Sequence, residues 1–243
     1  MAGTALGARG QLSFLARRGH WLRQLSHKHL AALAHGWYAA VLRFARRVRR
    51  AGSRAPGHRG DAPGAVDADA EYDALVDTLV QTGSISDATK IYWDVRPSAR
   101  FETLEFRVTD VCLTIDEAVL IAGLSRALAR TCYDQALKNE PALDVRPELL
   151  RAAKWSAARY GLEAELIDVA DKRAIPAQEL VEKLLATLRP ALERYGDWDE
   201  INSLARDTLA RGNGATRQRS AYARRDQLED VVDLLIAETA QGT

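Results

Sequence analysis

The charges of this 243-residue chain are divided at about residue 60, and the division limits what each part can fold into. Residues 1–60 contain 12 Lys and Arg, all five histidines and no Asp or Glu. Residues 61–243 contain the other 22 Lys and Arg and all 33 Asp and Glu, a balance of −11. The net charge of +1 averages two different parts and says nothing about an acidic partner. We expect a basic N-terminal segment and linker over 1–67 and a globular part over 68–243.

Three interpretations of the basic segment stay open. It has the composition of an organellar transit peptide, of a basic arm that binds nucleic acid or membrane, or of sequence without a function. Its histidines lack the spacing of metal ligands, since His27 and His29 are two positions apart and would not share a helix face. Residues 51–70 are rich in Gly, Ala, Pro and Asp, which predicts a flexible linker.

The two cysteines and the hydropathy pattern bear on the compartment. Cys112 and Cys132 are not in a C-x-x-C spacing, which argues against a disulfide framework and a cysteine-based zinc site. No apolar run reaches about 18 residues, the length that predicts a membrane span. We therefore predict a cytoplasmic protein without a membrane partner.

The periodicity after residue 68 predicts an α+β fold. Apolar residues at helical spacing predict a helix that ends at Gly83, and alternation predicts strands over 90–95 and 103–110. Thr114 and Glu117 form a capping box before a helix to about residue 139, and Pro147 begins another that ends at Gly161. Further elements are predicted as a strand over 164–169 and helices over 176–194, 199–211 and 215–240. The expected architecture is mostly helical, around a small antiparallel β element.

The strand over 103–110 carries the first candidate site. Glu105 and Arg107 share one face of it, opposite the apolar face. A carboxylate can hold Mg²⁺ and a guanidinium can grip a phosphate or carboxylate, although a surface ion pair explains the same spacing. Cations near the hairpin would neutralise charge on a transferred group, or would be solvated loop charges; they are Lys90, Arg96 and Arg100.

A second candidate is the glycine pair before the last predicted helix. Gly212 and Gly214 precede Arg217 and Arg219, and glycines that lead into a helix N-terminus can form an anion site. A helix C-cap and turn account for Gly212 equally well. The chain has neither a Walker A sequence nor a complete dinucleotide-binding fingerprint.

Three blocks carry a resemblance to a known family. IYWDVRPSARFETLEFRVTDVCLTIDEAVLIAGLSRAL, KWSAARYGLEAELID and ARGNGATRQRSAYARR resemble the C-terminal half of the glutamate–cysteine ligase type 2 family, the carboxylate–amine ligases. The resemblance covers about residues 70–240. It implies a fold similar to glutamine synthetase and gamma-glutamylcysteine synthetase, with an antiparallel sheet curved around the active site and helices outside.

The resemblance also implies a reaction and roles for residues. ATP and Mg²⁺ would activate the side-chain carboxylate of glutamate as an acyl phosphate, and an amine such as that of cysteine would displace phosphate. Glu105 matches a metal ligand, and Arg107 matches the arginine that contacts the transferred phosphate, with Arg96 as a second catalytic candidate. The implied cofactor contacts are Lys90, Arg100, Arg217 and Arg219.

The chain departs from the family pattern before residue 70. Members of the family begin with a further half whose first strand carries clustered glutamates for the metals. A one-nucleotide frame shift of codons allowed for residues 14–38 can encode FWRGGDTGFASYRTNIWRRWPTAGT, which resembles the next family segment. We therefore hypothesise that roughly residues 5–50 are an out-of-frame translation, which DNA sequencing would test. We expect the chain as written to lack ligase activity and its unpaired strand edges to favour association, as in a homo-oligomer.

Two other functions remain as alternatives to a ligase or its fragment. One is a remnant without catalytic activity that binds nothing specifically. The other is a nucleic-acid-binding protein with a basic arm, which predicts DNA binding with a steep salt dependence. The frame-shift hypothesis disfavours a nucleic-acid partner and leaves small molecules as the expected ligands, namely glutamate and an amino acid amine.

Overall fold

A computed structural model of the chain describes residues 68–91, 95–97, 103–107, 109, 111–138, 140 and 145–240. The predicted segment 1–67 therefore lies outside the described residues. The helices of the described part are α1 Ala68–Gln81, α2 Ile115–Leu137, α3 Pro147–Tyr160, α4 Ala177–Tyr195, α5 Trp198–Arg211, α6 Gly214–Tyr222 and α7 Leu228–Ala240. Short 3-10 helices span Ala88–Lys90 and Gly161–Glu163.

The strands form two small antiparallel hairpins. β1 Val95–Pro97 pairs with β2 Leu104–Phe106, and β3 Glu165–Asp168 pairs with β4 Arg173–Pro176. The described part is therefore mostly helical with two small antiparallel sheets, in agreement with the predicted α+β class.

Local signals explain where α2 begins and where α3 begins and ends. Thr114 Oγ1 accepts a hydrogen bond from the Glu117 amide at 3.3 Å, and the Glu117 carboxylate accepts one from the Leu113 amide at 2.9 Å. These bonds satisfy backbone donors that the helix itself leaves without partners. Pro147 begins α3, and Gly161 ends it with a φ of 63°, as predicted.

Three helices enclose the main core. α2, α4 and α5 pack against one another, and their buried residues include Leu124, Cys132, Leu188 and Ile201. The first hairpin adds the buried side chain of Val95, with Leu104 and Phe106 packed against the same cluster. A smaller cluster lies between α3, the second hairpin and α4. The first hairpin therefore packs directly against the main core.

The predicted strand over 90–95 was wrong at its beginning. Ala88–Lys90 form a 3-10 helix, because the Asp87 carboxylate caps it and accepts a hydrogen bond from the Thr89 amide at 2.8 Å. Hydrogen bonds from the Thr89 hydroxyl and from the Thr89 amide lower the pKa of Asp87. Residues 92–94 lie outside the described part, and the strand that the structure describes begins at Val95.

The predicted helix over 215–240 was also wrong, since it is two helices. α6 ends at Tyr222 and α7 begins at Leu228. Between them Asp226 has a φ of 57°, and Arg225 Nε donates to Asp230 Oδ2 at 3.0 Å. A positive φ cannot continue a right-handed helix, so the chain reverses here and α7 packs back on α6.

Among the described residues, none of the helices is both long and apolar enough to cross a membrane.

Candidate functional site

The first hairpin places its charged residues by strand register. Arg96 lies directly opposite Glu105, and Val95 lies directly opposite Phe106. Residues opposite each other on paired strands share one face of the sheet, and neighbours along a strand alternate between faces. Because Val95 and Phe106 face the core, Arg96 and Glu105 are directed to the other face. The alternation predicted for 103–110 is confirmed over the described residues 104–106.

The two arginines of the hairpin converge on one oxygen atom. Arg96 Nε donates a hydrogen bond to Glu105 Oε2 at 2.7 Å, and Arg107 Nη1 lies 3.9 Å from the same oxygen. The side chain of Arg96 is 12% exposed, whereas those of Glu105 and Arg107 are 35% and 37% exposed. The structure thus brings together the predicted metal ligand and both predicted catalytic arginines.

Arg96 also reaches the segment that precedes the hairpin. Its Nη1 atom donates to the carbonyl oxygen of Thr89 at 2.8 Å and lies 3.3 Å from that of Ile91. Lys90 stands between these two carbonyls and is exposed. The backbone of this predicted cofactor contact is therefore tied to the hairpin. Arg100, another predicted contact, lies outside the described residues.

The second candidate site has a different construction. The Asn213 side chain caps α6 and accepts a hydrogen bond from the Thr216 amide at 3.0 Å. Gly212 precedes it with a φ of 82°, a backbone conformation that favours glycine. The cap thus occupies one of the N-terminal amides that an anion would use, and the turn interpretation of these glycines fits this geometry.

The arginines after this turn bind carboxylates of the protein. Arg217 Nη1 donates to Glu238 Oε2 at 2.6 Å, and Arg217 Nη2 pairs with Glu117. All three of these side chains are 13% exposed, so Arg217 joins α2, α6 and α7 in a mostly buried network. Arg219 Nη2 donates to Glu163 Oε2 at 3.0 Å. The carboxylates that pair with these two arginines thus belong to other elements than the first hairpin.

Sequence reasoning missed the partners of Arg217 and Arg96. Glu117 is 100 positions from Arg217, and the sequence marks it only as a capping residue. Thr89 and Ile91 contact Arg96 through their carbonyl groups, which every residue carries. Only the three-dimensional arrangement identifies such partners. The apolar alternation of the two strands puts Arg96 and Glu105 on the polar face of each strand, and it was the one signal that could have related these two residues.

The donor set of the hairpin fits one position of a magnesium site. Mg²⁺ is usually bound by one or two carboxylates together with substrate phosphates, and Glu105 supplies one carboxylate. Within the described ranges, no group of three or more His, Cys, Asp or Glu is placed to hold a metal ion. The two guanidinium groups beside Glu105 suit the phosphate or carboxylate oxygens of an anionic ligand.

Comparison with known proteins identifies a family that matches this chain. The family model of glutamate–cysteine ligase family 2 matches residues 49–234. A Frankia alni protein named "Putative glutamate--cysteine ligase 2-2" is 49% identical over 178 residues, which cover 73% of this chain and 46% of that protein.

Two further relatives have similar names. A Mycolicibacterium smegmatis protein named "Putative glutamate--cysteine ligase 2-2" is 50% identical over 181 residues, 74% of this chain and 46% of its own length. A Rhodococcus jostii protein named "Putative glutamate--cysteine ligase 2-3" is 49% identical over 174 residues, 72% of this chain and 22% of its own length. The chain thus spans about half or less of the length of these curated relatives. Because the family model covers most of the chain, including both hairpins and the core helices, the chain belongs to glutamate–cysteine ligase family 2.

Proposed function

We propose that this chain provides part of the active site of an ATP-dependent carboxylate–amine ligase that joins glutamate to an amino acid amine such as that of cysteine. Membership of the family and the names of the relatives support the class of reaction. The observation that carries the proposal is the convergence of Arg96 and Arg107 on Glu105 in the first hairpin. A fold similar to glutamine synthetase, with small-molecule substrates in the cytoplasm, is part of the same proposal.

The residues of the hairpin have distinct tasks in this reaction. Bound MgATP would supply the phosphoryl group that activates the side-chain carboxylate of glutamate. Arg107, the more exposed arginine, would bind oxygens of the transferred phosphate, because a guanidinium presents paired donors in the geometry of an oxyanion. Glu105 would offer one carboxylate oxygen to the metal. Lys90 would add positive charge at the edge of the site.

The first test of the proposal is nucleotide binding by the chain itself. We expect calorimetric titration to show binding of MgATP that weakens about tenfold or more in Arg107→Gln, because a charge-assisted hydrogen bond is lost. In Glu105→Gln, we expect the affinity for ATP with Mg²⁺ and the affinity for ATP without Mg²⁺ to become more similar. The matched controls Arg151→Gln and Glu148→Gln break an exposed ion pair of α3 and should bind as wild type does. MgATP binding that is absent, or indifferent to Arg107, would contradict the proposal.

The second test is turnover in a chimera. Residues 68–240 would replace the matching segment of the Mycolicibacterium smegmatis relative, and γ-glutamylcysteine and ADP would be measured by mass spectrometry. We expect product from the chimera and about a hundredfold less from its Arg107→Gln variant, the usual loss when one transition-state donor is removed. From the chain alone we expect none, since its described residues contain no group of three or more side chains that could hold a metal ion. A chimera whose product formation does not depend on Glu105 or Arg107 would contradict the roles proposed for these two residues.

A further inference from the structure

We propose that Arg96 is a positioning residue, which fixes both Glu105 and the backbone around Lys90, and that Arg107 is the arginine of the hairpin that meets the anionic substrate. This inference rests on the proposed function, because it divides roles within the same site. It replaces the direct catalytic role that the sequence suggested for Arg96.

The contacts of Arg96 are directed into the protein. Its side chain is 12% exposed, and Nε and Nη1 donate to one carboxylate oxygen and to the carbonyls of Thr89 and Ile91. These acceptors belong to β2 and to the segment before β1, so one planar group joins two separate stretches of chain. A guanidinium suits this task, because its donors have a fixed relative orientation. Arg96 therefore behaves as a cross-link within the site.

Arg96 holds the backbone on both sides of Lys90. Thr89 and Ile91 flank Lys90, and both of their carbonyl groups contact Arg96 Nη1. Asp87 caps the same 3-10 helix through the Thr89 amide, and Ile91 is anchored by burial at 2% exposure. The backbone of Lys90 is thus held while its side chain remains exposed. A cation on a fixed backbone loses less entropy when it binds an anion.

The two ion pairs of Glu105 differ in kind. The 2.7 Å contact with Arg96 is a charge-assisted hydrogen bond, whereas 3.9 Å to Arg107 is beyond hydrogen-bond distance and leaves Coulomb attraction. Arg96 therefore holds the carboxylate, and the held carboxylate contributes to the position of the Arg107 guanidinium. Because Arg107 is three times as exposed as Arg96, its guanidinium is the better placed of the two for a ligand.

Two exposed cations flank the ion pair of Arg96 and Glu105. The side chains of Lys90 and Arg107 are both exposed. An ammonium and a guanidinium suit a phosphate or carboxylate group, the chemistry shared by ATP and glutamate. Arg96 would thus contribute to affinity only through the residues that it holds.

Hydrogen exchange and side-chain NMR of the chain test this role. Arg96→Lys keeps the charge but cannot span the three acceptors, so we expect the amides of residues 88–91, 95 and 96 to exchange about tenfold faster. We also expect the Nε–Hε signal of Arg107, assigned by its loss in Arg107→Lys, to shift in Arg96→Lys. The exposed control Arg151→Lys should change neither measurement. Arg96→Gln, if it folds, should show both effects more strongly.

The outcomes separate this inference from the proposed function. If the chain does not bind MgATP, the proposed function fails, and exchange and NMR still decide whether Arg96 orders the site. If Arg96→Lys lowers MgATP affinity while exchange and the Arg107 signal remain unchanged, Arg96 is a direct contact and the inference is wrong. An unchanged Arg107 signal alone overturns it too, because a positioning residue must act through its neighbour.

Discussion

Asp168 is a buried carboxylate at the end of β3, and its environment predicts how stability depends on pH. It is 1% exposed, and its Oδ1 atom accepts hydrogen bonds from the amides of Ala170 at 3.0 Å and Asp171 at 3.3 Å. Lys183 of α4 donates to its other oxygen. Burial opposes ionisation of this carboxyl, but the hydrogen bonds from Lys183 and the two amides outweigh it and lower the pKa to about 2.

The lowered pKa of Asp168 predicts a loss of stability in acid. The unfolded carboxyl titrates near 3.8, so the stabilisation is complete above about pH 4 and disappears as the pH falls toward 2. We expect Asp168→Asn to lower the free energy of unfolding at pH 7 by about 1–2 kcal/mol, a value reduced for the exposed Lys183 partner. Urea unfolding between pH 2 and 7 should show this difference shrinking below pH 4.

Glu193→Gln is the control for this measurement, because it breaks the exposed ion pair of Glu193 with Arg189. Its unfolding free energy should follow that of the wild type at each pH. A difference between wild type and Asp168→Asn that persists undiminished at pH 2 would show that ionisation of Asp168 is not the cause.

The contact of α2 with α5 depends on a residue without a side chain. Gly123 is buried in α2, and a Cβ atom at this position would clash with Ile201 Cδ1 and lie 2.7 Å from Ile201 Cγ1. Ile201 is itself 1% exposed, so the core leaves it little room to move. Glycine therefore allows the two helices their close approach.

We expect Gly123→Ala to destabilise the fold by about 1–2 kcal/mol. Overpacking a core costs about 1–3 kcal/mol, and the better helix propensity of alanine returns up to about 1 kcal/mol. Urea unfolding measures the change. In the double variant Gly123→Ala/Ile201→Val, the smaller side chain relieves the contact, and the combined loss should be smaller than the sum of the single losses. Strict additivity would show that the clash is absorbed elsewhere.

Elements with their own end signals could be predicted from the sequence. The capping residues Thr114 and Glu117 and the punctuation by Pro147 and Gly161 act within a few positions, and these helix ends were confirmed. β4 was missed because only Ile175 of its four residues is buried, and its identity depends on pairing with β3. The break between α6 and α7 contains neither Gly nor Pro, so no local signal marks it.

Alternation of apolar and polar residues predicted which face of the strand carries the candidate site, but not how the two strands pair. The period of two placed Glu105 opposite the apolar face, but the register that sets Arg96 against it depends on the pairing of two strands. The burial of Arg96 depends on the 3-10 helix before β1, which the sequence did not indicate as such. Long-range partners such as Arg217 and Glu117 follow from packing alone.

In the molecule as a whole, one apolar cluster supports the candidate site. Val95 of β1 is buried together with residues of α2, α4 and α5. The hairpin is therefore fixed to the same packed interior that determines global stability, rather than to a separate small unit. We expect its geometry to persist until the core itself opens.

The rate at which Cys132 is alkylated measures how often this core opens. Its side chain is fully buried in the same cluster, and burial raises the pKa of its thiol to about 12. The thiol is the less reactive form of cysteine, so alkylation requires opening of the core. At pH 8 we expect Cys132 to be alkylated at least about a thousandfold more slowly than in urea-unfolded chain, with half-buried Cys112 as the internal comparison in mass spectra. Equal alkylation rates in folded and unfolded chain would contradict a closed core. A slow rate for Cys132 would report how often the core that supports the first hairpin opens.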